Sequence, residues 1–163
     1  LQGQGLGGLK TALPHHRDGF SPQQIDLGRL LFFDPVLSGN KDLSCANCHN
    51  PAKGFSDGMA RSVGASGELH PRSAPTLWNS AFLQSLLWDA RADSLEQQAL
   101  GPLFSELEMA NTPEQLMANL NQVDAYPELF TQAFPNSEDA MVIANITTAL
   151  TAFQSSLISL NSP

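Results

Sequence analysis

Two thiols and an imidazole stand within one short word, Cys45-Ala46-Asn47-Cys48-His49, and these are the only cysteines of the chain. A disulfide at this spacing would close a tiny loop and constrain little. A redox dithiol would need a thioredoxin-like βαβ setting, and the sequence shows no convincing strand. A paired zinc site would need a second Cys/His pair. The spare histidines His15 and His16 are adjacent and poorly spaced for that. The residue after the second cysteine decides between these chemistries, because C-x-x-C-H is the attachment motif of a c-type haem. Both thiols add across the haem vinyl groups, and the two-residue spacer matches the vinyl separation. The following imidazole then lies under the iron as an axial ligand. On this reading Cys45 and Cys48 bind one haem c covalently and His49 ligates its iron. Covalent attachment in turn implies an extracytoplasmic, periplasmic compartment.

Such a motif has to be carried by elements that pack around it. Residues 1–20 are Gly-rich without periodicity and predict an irregular N-terminal arm. Ser21-Pro22-Gln23-Gln24 predicts a helix start: Ser is the N-cap, Pro fits the first turn, and Gln24 completes a capping box. That helix carries Ile25, Leu27, Leu30 and Leu31 and stops at Asp34-Pro35. Residues 34–80 are rich in Gly and Pro and too long for an ordinary connection, so something must organise them. A haem would do so by supplying the apolar surface that this segment lacks. Further helix starts are expected at Asp93-Ser94-Leu95-Glu96-Gln97 and at Thr112-Pro113-Glu114-Gln115, the latter again as a capping box. Ser137-Glu138-Asp139 is read as opening the last helix, with Met141, Ala144, Leu150, Phe153 and Leu157 on one buried face. The fold class expected is all-α: a helical domain over residues 21–163, with long loops around one haem.

The chain has 163 residues and is 42% hydrophobic, enough for one domain with a core. No apolar run approaches the ~20 residues of a membrane span. Its first residues have neither a basic cluster nor an apolar stretch, and so read as a mature or trimmed end. The net charge of −8 repels phosphate backbones, so nucleic acid is not an expected partner.

The words around the motif are more specific than the motif. Leu27-Gly28-Arg29-Leu30-Leu31-Phe32-Phe33-Asp34-Pro35, Leu37-Ser38-Gly39-Asn40, Ser44–His49 and Gly54-Phe55-Ser56-Asp57-Gly58 occur in that order. They are followed by Ala74-Pro75-Thr76-Leu77-Trp78-Asn79, Trp88-Asp89-Ala90-Arg91-Ala92-Asp93-Ser94-Leu95, Gln98-Ala99-Leu100-Gly101-Pro102 and Glu108-Met109. Together they resemble the bacterial di-haem cytochrome c peroxidase family, which includes MauG-type enzymes. The resemblance covers roughly residues 21–160. The family pattern has two cytochrome c-like domains, each with a C-x-x-C-H. This sequence carries one such motif, at the N-terminal, peroxidatic position. Asn161-Ser162-Pro163 falls about where the family's chain crosses to the second domain. The resemblance thus implies a C-terminal haem domain as a partner, in the same protein or as a separate chain.

It also implies an activity: reduction of hydrogen peroxide to water with electrons from a small redox protein, a cytochrome c or a cupredoxin. Peroxide would bind the iron trans to His49. Glu108 resembles the distal-pocket carboxylate, which takes a proton from the near oxygen and returns one to the leaving oxygen. Glu106 reads as a solvated neighbour. Gln98 resembles a distal amide that hydrogen-bonds the bound oxygen species, and Trp88 the tryptophan between the two haems. Asp89 and Arg91 read as structural. Several members of the family carry a histidine after the glycine equivalent to Gly64, where it caps the resting iron. Ala65 stands there here. An open or water-bound sixth site is therefore expected, with His70 as the alternative distal ligand. Ser73 stands where the family often has an Asn of an interdomain calcium site, so calcium is not expected. Two other readings stay open. One is MauG-like oxidation of a protein substrate. The other is a mono-haem electron carrier with His49/Met109 ligation, for which Met59 is a further candidate; a sensor or docking module has no dedicated feature.

Overall fold

Helix α1, Pro22–Phe33, begins as its residues dictate in this computed structural model, which describes residues 16–159. The Ser21 hydroxyl accepts from the Gln24 N–H, and the Gln24 side chain accepts from the Ser21 N–H, closing the expected capping box. Asp34 ends the helix, since Pro35 cannot continue it. The expected arm over residues 1–20 lies outside the described residues through position 15, and residues 16–20 form no regular element.

A single turn, α2, spans Cys45–Cys48. After a long irregular stretch come α3 (Leu95–Phe104), α4 (Pro113–Asn121), α5 (Tyr126–Ala133) and α6 (Ile143–Ser156). Short 3₁₀ turns occupy Pro35–Leu37, Pro51–Lys53 and Ser80–Phe82. Among the described residues there is no strand, only three isolated antiparallel bridges. The all-α expectation therefore holds.

The frame is α1 laid along α6, with α3 against α6 and α5 against α1. The helices approach closely because α1 carries Gly28 at the crossing. A Cβ there would run into the Ala149 carbonyl of α6. Leu27, Leu31 and Phe32 of α1 meet Ile146, Ala149, Leu150 and Phe153 of α6, joined by Leu103, Leu116, Leu120 and Phe130. Full burial of each large side chain contributes roughly 1.5–3 kcal/mol.

Three details differ from the sequence expectation. Thr112 caps α4 by accepting from the Gln115 N–H, but the Gln115 side chain turns forward to Asn119 and does not close a box. Helix α6 starts at Ile143, not at Ser137, because polar side chains just before it and in its first turn bind the backbone of that stretch instead. Asp139 accepts from the Met141 N–H, and Asn145 reaches back to the Ala140 carbonyl. As a result Ala144 is exposed, and Leu157 is the C-cap. Finally, the segment 34–80 does not depend on a haem for all its apolar burial. Val36, Leu37, Phe55 and Leu77 enter the main core.

Candidate functional site

The Cys-x-x-Cys-His word forms one helical turn with its histidine at the exit. The Ser44 N–H donates to Asn47 Oδ1 at 2.8 Å, and the His49 N–H to the Cys45 carbonyl at 2.9 Å. Both cysteines are free and half-buried on the same short turn. Loss of hydration pushes the Cys45 thiol up to about 12. Burial, then the charges of Asp57 and Glu108, push the Cys48 thiol up as well.

His49 is held by backbone. Its Nδ1 lies 3.0 Å from the Phe55 carbonyl and 3.1 Å from the Pro75 carbonyl. Two acceptors at one nitrogen require Nδ1–H to be the donor, which leaves the Nε2 lone pair available to a metal. Burial lowers the proton affinity of the ring below its ordinary value, against the pull of these carbonyls, so the neutral form is favoured.

The Phe55 carbonyl reaches His49 because the backbone there is left-handed. Gly54 has φ +67° and Phe55 φ +57°, a conformation that L side chains rarely adopt. The Phe55 N–H donates to Asn50 O, and the Asn50 N–H to Ser56 O, so the turn is tied across its base. The Phe55 ring fixes it from the other side, edge-on to Trp78 at 5.4 Å and to Phe32 at 6.1 Å. One residue thus anchors in the core with its ring and orients the imidazole with its carbonyl. The second acceptor, Pro75, precedes Thr76, whose hydroxyl donates to the Gly54 carbonyl at 2.6 Å.

A second group of residues gathers where the 61–74 loop meets the 105–110 segment. Val63 pairs with Leu69, and the Arg61 guanidinium donates to the carbonyls of Leu69 and His70. Gly64 presses so closely on Leu107 that a Cβ would strike its carbonyl. The Ala65 N–H donates to the Glu108 carbonyl at 3.1 Å. Across this seam His70 Nε2 lies 3.2 Å from Glu108 Oε1, both side chains partly buried. Burial pushes the Glu108 carboxyl above the usual carboxylate range, opposed by His70 and Arg91. Val63, Leu69 and Leu107 leave apolar surface exposed beside this seam, and the Val63 carbonyl lies 4.0 Å from Cys48 Sγ.

The other candidates are dispersed. Gln98 on α3 is half-buried, and no described residue hydrogen-bonds its side chain. Trp88 is 68% exposed, its ring N–H 3.4 Å from the Ser73 carbonyl. Asp89 pairs with Arg91 and Arg72, which hold its carboxyl below the usual range. Glu106 is exposed. Met109 is buried within the main core, whereas Met59 is 46% exposed. Sequence reasoning gave no role to Asp57, a buried carboxylate whose charge bears on Cys48 and His49. Burial works against that charge, yet Ser62 and the Met59 N–H hold it below the usual range, while Oδ2 has no hydrogen-bond partner among the described residues. The word Gly54–Gly58 contained the residue, but nothing in its spacing marked a role.

No group of three or more His, Cys, Asp or Glu among the described residues could hold a bare metal ion. The donor set is instead one imidazole nitrogen beside two thiols, with uncovered apolar side chains and a raised carboxyl nearby. That fits a planar, iron-bearing group held by two thioether bonds.

Residues 22–163 match the family described as di-haem cytochrome c peroxidase. The methylamine utilization protein MauG of Methylorubrum extorquens is 40% identical over 167 aligned positions, covering 98% of this chain and 47% of that protein. The cytochrome c551 peroxidase of Pseudomonas aeruginosa is 38% identical, covering 88% of this chain and 41% of its own length. Among solved structures, a MauG-like protein associated with microbial copper homeostasis superposes with a TM-score of 0.87 at 33% identity, covering 94% of this chain and 47% of the other. The chain thus spans less than half the length of these relatives. Motif, helical frame and sequence agree, and the chain belongs to the di-haem cytochrome c peroxidase family.

Proposed function

We propose that this chain is the peroxidatic haem c domain, over residues 21–163, of a longer periplasmic oxidoreductase that reduces hydrogen peroxide. The observation that carries this reading is the His49 ring at the exit of the turn that bears the two thiols, its Nδ1 committed to two carbonyls so that the lone pair is left on Nε2. Cys45 and Cys48 would hold one haem c through thioethers, and His49 would be the proximal ligand. When bound, the haem would supply a redox-active iron able to exchange electrons with peroxide.

Reduction of hydrogen peroxide to two waters consumes two electrons and two protons. Glu108 would accept a proton from the near oxygen and deliver it to the far one. Its burial suits this, because a carboxyl with raised proton affinity can be both acceptor and donor nearer neutrality. Gln98, whose amide no described residue engages, would hydrogen-bond the oxygen species. Trp88, largely exposed, would face the second haem domain and pass on electrons from a small cytochrome c or cupredoxin. Calcium has no part in this reading. The burial of Met109 in the core weighs against His49/Met109 ligation. Oxidation of a protein substrate is a second reading, favoured by the likeness to proteins named MauG.

The test is single-turnover oxidation of the haem-loaded protein by peroxide. Glu108→Gln should slow it by roughly 10²–10⁴-fold, the usual contribution of a positioned acid–base group. Glu106→Gln, at an exposed carboxylate, should leave the rate alone. Equal rates in wild type and both variants would remove Glu108 from the mechanism.

A further inference from the structure

We propose that His70 is a positioning residue for Glu108, holding one carboxylate oxygen so that the other carries the proton, and is not a ligand of the iron. This rests on the reading of Glu108 as the distal acid–base group. His70 Nε2 and Glu108 Oε1 are 3.2 Å apart, and both main chains are pinned independently of the pair. The His70 N–H donates to Ser62 O at 2.7 Å, and the His70 carbonyl accepts from Arg61 at 2.8 Å. The Glu108 N–H donates to Ser105 O at 3.0 Å, and its carbonyl accepts from Ala65. The Ala65 bond and the Gly64–Leu107 contact hold the two segments together, so the imidazole and the carboxylate face each other across a fixed stretch of backbone. A glutamate on a turn otherwise rotates about its side-chain bonds. Engaging Oε1 fixes the plane of the carboxyl and leaves Oε2 as the oxygen that exchanges a proton. The same bond occupies the imidazole nitrogen at the tip of the ring, where a metal would otherwise be met.

The experiment compares His70→Ala, His70→Gln, Glu108→Gln and the double variant His70→Ala/Glu108→Gln in the haem-loaded, full-length protein. Two signals are followed: the single-turnover rate with peroxide, and the infrared C–O stretch of the reduced carbon monoxide adduct. His70→Ala should slow the reaction about 10- to 150-fold, the worth of one hydrogen bond to a charged group, and should broaden the C–O band as the carboxyl samples several orientations. His70→Gln, which keeps an N–H donor, should restore both. In the Glu108→Gln background, His70→Ala should add nothing, because the group it positions is gone. The inference is overturned if His70→Ala changes neither signal, if His70→Gln fails to rescue, or if His70→Ala converts a low-spin ferric spectrum to high-spin, which would make His70 an iron ligand. If Glu108→Gln itself leaves the rate unchanged, the distal-base reading fails. A slow Glu108→Gln beside a wild-type His70→Ala sinks only the role given to His70.

Discussion

Cys45, Cys48 and His49 stand out in the sequence because haem attachment, the role proposed for them, depends on spacing along the chain. The groups that orient His49 do not, since the carbonyls of Phe55 and Pro75 carry no residue signature and meet the ring through folding alone. His70 lay between the two cases: its loop was visible, its partner was not. The seam that joins His70 to Glu108 gives a prediction at this scale. Gly64→Ala would drive a methyl into the Leu107 carbonyl, next to Glu108. Overpacking of this kind costs about 1–3 kcal/mol, and the displaced turn carries the carboxyl with it. Urea unfolding should show the loss, and the peroxide reaction should slow at unchanged haem content. Gly67→Ala is the control. At φ +77° it bears backbone strain of about 1–2 kcal/mol, but nothing lies within reach of its Cβ. It should lose stability and keep its rate. If Gly67→Ala slowed the reaction as much as Gly64→Ala, loop stability, not the seam, would control Glu108.

Between elements, the link from α5 to α1 is a partly buried hydrogen bond. The Tyr126 hydroxyl donates to Asp34 Oδ2 at 2.6 Å, tying the start of α5 to the C-cap of α1. Tyr126→Phe removes it, and a hydrogen bond to a charged group is worth about 1.5–3 kcal/mol. Burial, then Asp34, raises the phenol's proton affinity above its ordinary 10.0. The stabilisation is therefore complete below pH ~10 and is lost as pH rises beyond it, because the unfolded chain ionises first. Urea unfolding against pH should show an alkaline fall that is steeper in wild type than in Tyr126→Phe, which keeps only the fall due to the raised thiols of Cys45 and Cys48; parallel curves would deny the bond its role. Helix α5 itself was missed in the sequence, although Tyr126, Leu129, Phe130 and Ala133 have the spacing of one helical face. It is short, and its N-cap, Ala125, offers no side-chain bond. The start of α6 was misplaced for the opposite reason. Ser137, Glu138 and Asp139 look like a capping sequence, but neighbouring side chains hold that stretch in turns. By contrast, Ser21 and Ser94 marked true starts, since both hydroxyls accept the third N–H of the helix they open.

For the molecule as a whole, the apolar core and the loop around the motif are separable. The main cluster draws on α1, α3, α4, α5 and α6 and includes Phe55 and Leu77, but no residue between those two. Residues 56–76 are held by hydrogen bonds, among them Ser56 to Ala74 O at 2.9 Å and the Ala74 N–H to Ser62 at 3.1 Å. They contribute almost no apolar burial to that core. A haem attached at Cys45 and Cys48 would give this loop the apolar partner it lacks, while the helical frame already has its own. The double variant Cys45→Ala/Cys48→Ala should therefore lose covalent haem yet keep slow hydrogen exchange in α1 and α6. Exchange in residues 56–76 should become fast. Each single variant should retain haem through one thioether, visible in the intact mass. Uniform collapse of protection would mean that the α1–α6 frame itself depends on the haem. Full protection of 56–76 without haem would mean that its hydrogen bonds suffice. Only selective loss in 56–76 agrees with a core built by the helices and a site completed by its cofactor.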